Sequence, residues 1–163
     1  NNANERVKVL GQGKRYSIEN YIFDPLLIGA FLIREKWIER SEIGLNYNET
    51  YVDIAKFDNS RLQVVADFIV NKVKVDEQQT SEKDILECEY VGGQVISLPL
   101  WFIQIKGHDL ENTLTLIFPQ LKRFQQRGSQ LKREILLKVV DDMPTLISKD
   151  LLSLFETIQN VEK

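Results

Sequence analysis

Few residues in this chain have the types and spacing that chemistry needs, and most of those carry charge rather than a nucleophile. His108, Asp109 and Glu111 fall within four residues, in Gly107-His108-Asp109-Leu110-Glu111. Such a group could ligate a metal or act as acid and base. It could equally open a helix, with Asp109 as N-cap and Glu111 in the first turn against the dipole. Glu87 and Glu89 would project to one face of a strand. Two carboxylates there could hold Mg²⁺, or form the solvated face of a half-buried strand with Leu86, Cys88 and Tyr90 inward. The densest cationic stretch is Lys122, Arg123, Arg127, Lys132 and Arg133, followed by Lys138, with no acidic residue between Lys122 and Arg133. Clustered cations of this kind neutralise phosphates and give salt-dependent DNA binding. The alternatives are a solvated helix surface or a patch that docks an acidic neighbour.

Other catalytic signatures are missing. There is no P-loop, no G-x-S-x-G elbow, no paired C-x-x-C and no H-E-x-x-H. Gly11-Gln12-Gly13-Lys14 faintly resembles a phosphate loop but lacks the further glycines and the Lys-Ser/Thr ending, so a plain turn is the main reading and phosphate binding the alternative. One histidine and one cysteine, Cys88, leave a structural zinc site without ligands.

These residues sit on elements the pattern predicts. Val7-Lys8-Val9-Leu10 reads as a strand running into the Gly11–Gly13 turn. Ser17 can cap a short turn over Ile18–Phe23. Asp24-Pro25 is a helix start, with Asp as N-cap and Pro at the first helical position. Leu26–Ile38 follows, apolar on most faces, and therefore buried on more than one side. Glu49–Phe57 reads as helical. Asp58, Asn59 and Ser60 offer caps for a helix carrying Leu62, Val65, Ala66, Ile69 and Val73. Val75–Lys83 reads as a polar loop. Ile85–Val91 and Val95–Leu98 flank Gly92-Gly93, the strongest hairpin signal in the chain. Leu100–Ile105 is ambiguous. Helices are expected from Asp109, from about Gln130 to Val140, and after Ser148, with Gly128-Ser129 and Met143-Pro144 as breaks. The fold class expected is α+β or lopsided α/β, with roughly six or seven helices against three strands. Residues 1–106 make a mixed α/β portion and 107–163 a helical portion.

The whole chain has 163 residues, 43% hydrophobic and 28% charged, with a net charge of −3. That is one domain's worth of sequence, too apolar for intrinsic disorder and too poor in cysteine for a disulfide scaffold. The lone cysteine points to a reducing, cytoplasmic setting. No apolar run approaches the ~18 residues of a membrane span. The start Asn1-Asn2-Ala3-Asn4-Glu5 has no methionine and no signal-peptide pattern, which suggests a piece of a longer protein.

One stretch carries a resemblance. Arg15-Tyr16-Ser17-Ile18-Glu19-Asn20-Tyr21-Ile22-Phe23-Asp24-Pro25-Leu26 resembles the Ile-Glu-Asn-Tyr-(Leu/Ile)-(Leu/Phe)-Asp-Pro stretch of TOPRIM-like domains. Those domains follow an ABC/AAA-type ATPase in bacterial proteins related to the OLD nucleases. Pro99-Leu100-Trp101-Phe102 and Gly107-His108-Asp109-Leu110-Glu111 are similar to a later stretch of the same group. The resemblance spans about two-thirds of the chain. It implies a Mg²⁺-dependent, DNA-cleaving protein in a phage-defence setting, with Glu19 as a catalytic and metal-binding acid. It also implies an upstream ATPase portion as partner, and DNA held by the basic stretch. The chain departs from the pattern in lacking any Asp-x-Asp. Under the resemblance those acids lie upstream of Asn1, so the isolated chain is expected to be inactive. The rival expectation is a non-catalytic helical module that binds an ATPase or a second copy of itself as a homodimer.

Overall fold

The computed structural model describes residues 15–77, 84–127 and 130–161. The expected strand Val7–Leu10, the Gly11–Lys14 turn, Gly128-Ser129 and the side chain of Arg127 lie outside the described residues. What is described is helix-rich with one small two-stranded antiparallel sheet. The helical segments outnumber the six or seven expected, because several connectors close into short 3₁₀ turns.

The chain runs through α1 (Ile18–Ile22), α2 (Pro25–Arg34), two 3₁₀ turns (Arg40–Ile43 and Tyr51–Lys56) and α3 (Asn59–Glu77). The hairpin follows, β1 (Ile85–Glu89) and β2 (Val95–Pro99), then α4 (Leu100–Ile103) and α5 (Gly107–Ile117). A 3₁₀ segment (Pro119–Arg127), α6 (Gln130–Ile135), a π turn (Leu136–Val140), a 3₁₀ turn (Pro144–Leu146) and α7 (Lys149–Val161) complete it.

The sequence pattern accounts for the centre. Asp24 caps α2 by accepting from the Leu26 N–H at 2.8 Å, with Pro25 at the first helical position. Leu26, Leu27, Ile28, Ala30, Phe31, Leu32 and Ile33 are all buried. A helix apolar on every side has to be surrounded, and α2 is covered by α3, by α6 and the π turn, and by the Tyr51–Lys56 turn. Gly29 sits where α3 crosses closest: a Cβ there would lie 2.7 Å from Val65 Cγ1.

The hairpin registers Leu86 against Leu98 and Cys88 against Ile96, with Gly93 at φ +85° in the turn. Its burial alternates as expected, so Glu87 and Glu89 face solvent while Leu86, Cys88 and Tyr90 face inward. The outer edge of β2 is closed by a helix rather than a strand. Gln63 accepts from the Ser97 N–H at 2.7 Å and donates to the Ser97 carbonyl at 2.9 Å. Asn59, four residues earlier on α3, accepts from the Val95 N–H at 3.0 Å. Side-chain amides one helical turn apart thus complete the hydrogen bonds a third strand would have made.

Several boundaries differ from expectation. Glu49–Phe57 forms only the 3₁₀ turn Tyr51–Lys56, because Asp53 bonds back to the Thr50 N–H at 2.7 Å and tightens that turn. α3 continues to Glu77, into the expected polar loop. Leu100–Ile105 resolves as a single helical turn after β2. The expected helix from Gln130 to Val140 changes into a π turn at Leu136.

Glu49 braces these connectors. Its carboxylate holds the Arg61 guanidinium at 2.6 and 3.0 Å, and Arg61 lies 3.5 Å from the Phe57 ring centroid. Hydrogen bonds from Arg61, then from Asn46, pull the Glu49 pKa down from 4.5 to about 2. A depressed carboxylate stabilises the fold above its unfolded pKa and loses that contribution as pH falls through the folded one. Acid titration of Glu49→Gln is therefore expected to show a shallower loss of stability between pH 4.5 and 2 than the parent. Equal slopes would contradict the pairing.

Candidate functional site

The two stretches that carry the resemblance, more than 80 residues apart, meet in space. The Tyr16 N–H donates to the Ile103 carbonyl at 3.3 Å. Asn20, 2% exposed, donates from Nδ2 to the Ile105 carbonyl at 2.7 Å, while its Oδ1 accepts from the Ser17 N–H at 3.1 Å and the Ser17 hydroxyl at 2.9 Å. Gly107 lets α5 close onto α1: a Cβ there would lie 2.6 Å from both Glu19 Cβ and Ser17 Oγ.

Beneath this contact runs a buried ionic network. The Arg15 guanidinium pairs with Asp24 at 2.5 Å and donates to the Asn20 carbonyl at 3.0 Å. Tyr90 donates its hydroxyl to the same Asp24 carboxylate at 2.6 Å. Arg15 is 5% exposed, Asp24 1% and Tyr90 0%. Burial, then the Asp24 charge, raises the Tyr90 pKa well above 10. Burial works against the Arg15 charge, and Asp24 more than offsets it, so Arg15 stays a cation. Every partner here is a neighbouring piece of the fold, so the network ties α1, α2 and the hairpin together.

Glu19 stands at the rim of the same contact, its side chain 38% exposed. Its nearest charged partner is a cation: Lys132 Nζ lies 3.3 Å from Oε1. The Ser17 side chain, its own backbone N–H and Lys132 together hold its pKa below 4.5. Among the described residues no three His, Cys, Asp or Glu side chains gather where a metal could be held. Glu19, paired with Lys132, belongs to no such cluster.

His108 and Asp109 are exposed and Glu111 is half-buried on the first turns of α5. Asp109 does not cap that helix. The helix begins two residues earlier, at Gly107, and Asp109 lies in its first turn. An open groove of about 210 Å³ lies between α3 and the hairpin, lined by Asp67, Val70, Asn71, Ile85 and Trp101 among others. His108, Asp109, Glu111 and Glu19 are not part of it. Glu89 pairs with Lys149 at 3.1 Å.

The basic stretch divides. Lys132 is taken by Glu19, from 113 residues away. Lys138 is held by Glu35 at 3.3 Å and Glu134 at 2.5 Å. Lys122, Arg123 and Arg133 are exposed and make no ion pair among the described residues. Arg123 lies over the Trp37 ring, 5.0 Å from its centroid.

Trp37 and Lys36 have no counterpart among the sequence candidates. Leu26–Ile38 reads as one helix, yet α2 stops at Arg34. Lys36 takes φ +59°, its N–H donates to the Ile33 carbonyl at 3.0 Å, and the Trp37 N–H donates to the Leu32 carbonyl at 2.9 Å. Those are the paired bonds of a Schellman ending, with Lys where glycine is usual. Trp37 completes it by packing edge-on to Phe31 at 5.9 Å. A left-handed lysine costs roughly 1 kcal/mol, so Lys36→Gly is expected to raise stability by about 0.5–1 kcal/mol. An unchanged or lower urea midpoint would contradict this reading of the helix end.

No known protein family, curated protein or solved structure matches the chain. No helix among the described residues is long and apolar enough to cross a membrane.

Proposed function

We propose that this chain is the DNA-contacting structural portion of a TOPRIM-like, ATPase-linked protein, and that it performs no cleavage alone. The observation that carries the proposal is the trio Lys122, Arg123 and Arg133, exposed and without carboxylate partners among the described residues, in a chain of net charge −3. Cations that the fold could have neutralised, as it does Lys132 and Lys138, are left available to phosphates. The meeting of the two resembling stretches around Asn20 and Gly107 supports the family reading as scaffold rather than as active site. Under that reading Glu19 becomes a metal ligand only with further acids from outside the described residues, and with Lys132 displaced.

The test is a salt titration of binding to a short DNA duplex. Three phosphate contacts predict a slope of log K against log salt of about −3. Lys122→Glu, Arg123→Glu and Arg133→Glu together are expected to abolish binding without lowering the melting temperature. A slope near zero, or unchanged binding in the triple variant, would overturn the proposal.

One observation favours a second reading, the non-catalytic docking module. Leu152, Phe155 and Ile158 on α7 are 42%, 46% and 47% exposed, at intervals of three residues. Under that reading Phe155→Ser changes the oligomeric state or partner binding and leaves DNA binding intact.

A further inference from the structure

We infer that Trp37, with Arg123 and Lys36, forms a stacking platform for an unpaired base, so that the nucleic acid bound here is single-stranded. The inference deepens the DNA reading above and rests on it.

The platform is built from below. Phe31, fully buried in α2, meets Trp37 edge-on, and Phe124 lies against both rings at 5.8 and 6.1 Å. The indole is therefore held in position while remaining partly open to solvent. Arg123, an exposed residue, rests on it with no carboxylate partner among the described residues. A nucleic-acid base stacked on an aromatic side chain is held more firmly than an arginine resting on the same ring at a surface. A base can thus replace the guanidinium on Trp37, and the freed Arg123 can reach the adjoining phosphate. Paired bases in a duplex present no free face to such a ring.

The cations flanking the indole fit a backbone path. Lys122 adjoins Arg123, and Lys36 adjoins Trp37; both are exposed and make no ion pair among the described residues. The nearby acids are already occupied: Glu35 holds Arg34 at 3.0 Å and Lys138 at 3.3 Å, and Glu134 holds Lys138. Lys36 keeps its charge at a position where glycine would be the relaxed choice. Strained residues of this kind gather at binding sites.

The 163-residue chain, carrying Trp101→Phe so that Trp37 alone reports, is titrated with a dT₁₂ oligonucleotide and with a 12-base-pair duplex. The expected result is quenching of Trp37 fluorescence by dT₁₂ and at least tenfold weaker binding of the duplex. Arg123→Glu should lose at least tenfold in dT₁₂ affinity, and Lys36→Gly a few-fold while gaining stability. Trp37→Phe, which keeps an aromatic ring on Phe31, is followed instead by the anisotropy of fluorescein-labelled oligonucleotides and should weaken dT₁₂ more than duplex. Equal affinity for duplex and dT₁₂, without quenching, overturns the platform and leaves the DNA reading standing. Binding of neither overturns both.

Discussion

Asp24→Asn is expected to destabilise the fold by roughly 3–5 kcal/mol. Asparagine keeps an oxygen to cap α2 at the Leu26 N–H, so the change removes charge more than it removes the cap. What it leaves behind is Arg15, 5% exposed and still positive, with the Asn20 carbonyl and the Tyr90 hydroxyl near its donors but no carboxylate among the described residues. A buried cation stripped of its counter-charge costs far more than the pair contributes when intact. Asp24→Ala should cost about 1 kcal/mol more, through the lost cap. The double variant Arg15→Met with Asp24→Asn should recover much of the loss, because the stranded charge is gone. Urea unfolding of the three variants checks this. Equal midpoints for Asp24→Asn and the parent would show that the pair is not buried as described.

Gly29→Val is expected to destabilise by about 2–3 kcal/mol. On an exposed helix the exchange would cost little, since glycine is itself a poor helix former. Here the first added carbon already lies 2.7 Å from Val65 Cγ1; α2 is enclosed on its far side, and α3, although open to solvent at Val64, Asp67 and Asn71, is tied to β2 through Asn59 and Gln63. Neither can retreat without opening the core around Phe31 and Ile69. The reversal Gly29→Val with Val65→Ala nearly conserves volume and should restore more than half of the stability. No rescue in the double variant would mean that α2 and α3 do not meet at this pair.

Much of the fold could be read from residue types. The Asp24-Pro25 start, the all-round apolarity of α2 and the Gly92-Gly93 hairpin are local signals with direct physical meaning. The end of α2 was hidden because its left-handed position carries Lys36 rather than glycine. The closure of β2 by Asn59 and Gln63 was hidden because a helix supplying strand-like hydrogen bonds leaves no periodic trace. The basic stretch was visible, yet which of its charges remain available was not. Glu19, Glu35 and Glu134 decide that, and two of the three come from more than 100 positions away. The same limit applies to Glu19, whose motif suggests a ligand and whose nearest charged neighbour is Lys132. Trp37 looked like core until the helix ended beneath it.

We propose that this chain holds nucleic acid and does not cut it. The most direct test is to incubate the chain with an end-labelled DNA carrying single-stranded and duplex segments, in Mn²⁺, and to follow binding and strand integrity in the same samples. The expected result is a retained, intact strand, with retention lost in Arg123→Glu and not lost in Glu19→Gln, which frees Lys132. Strand cleavage that disappears in Glu19→Gln would contradict it.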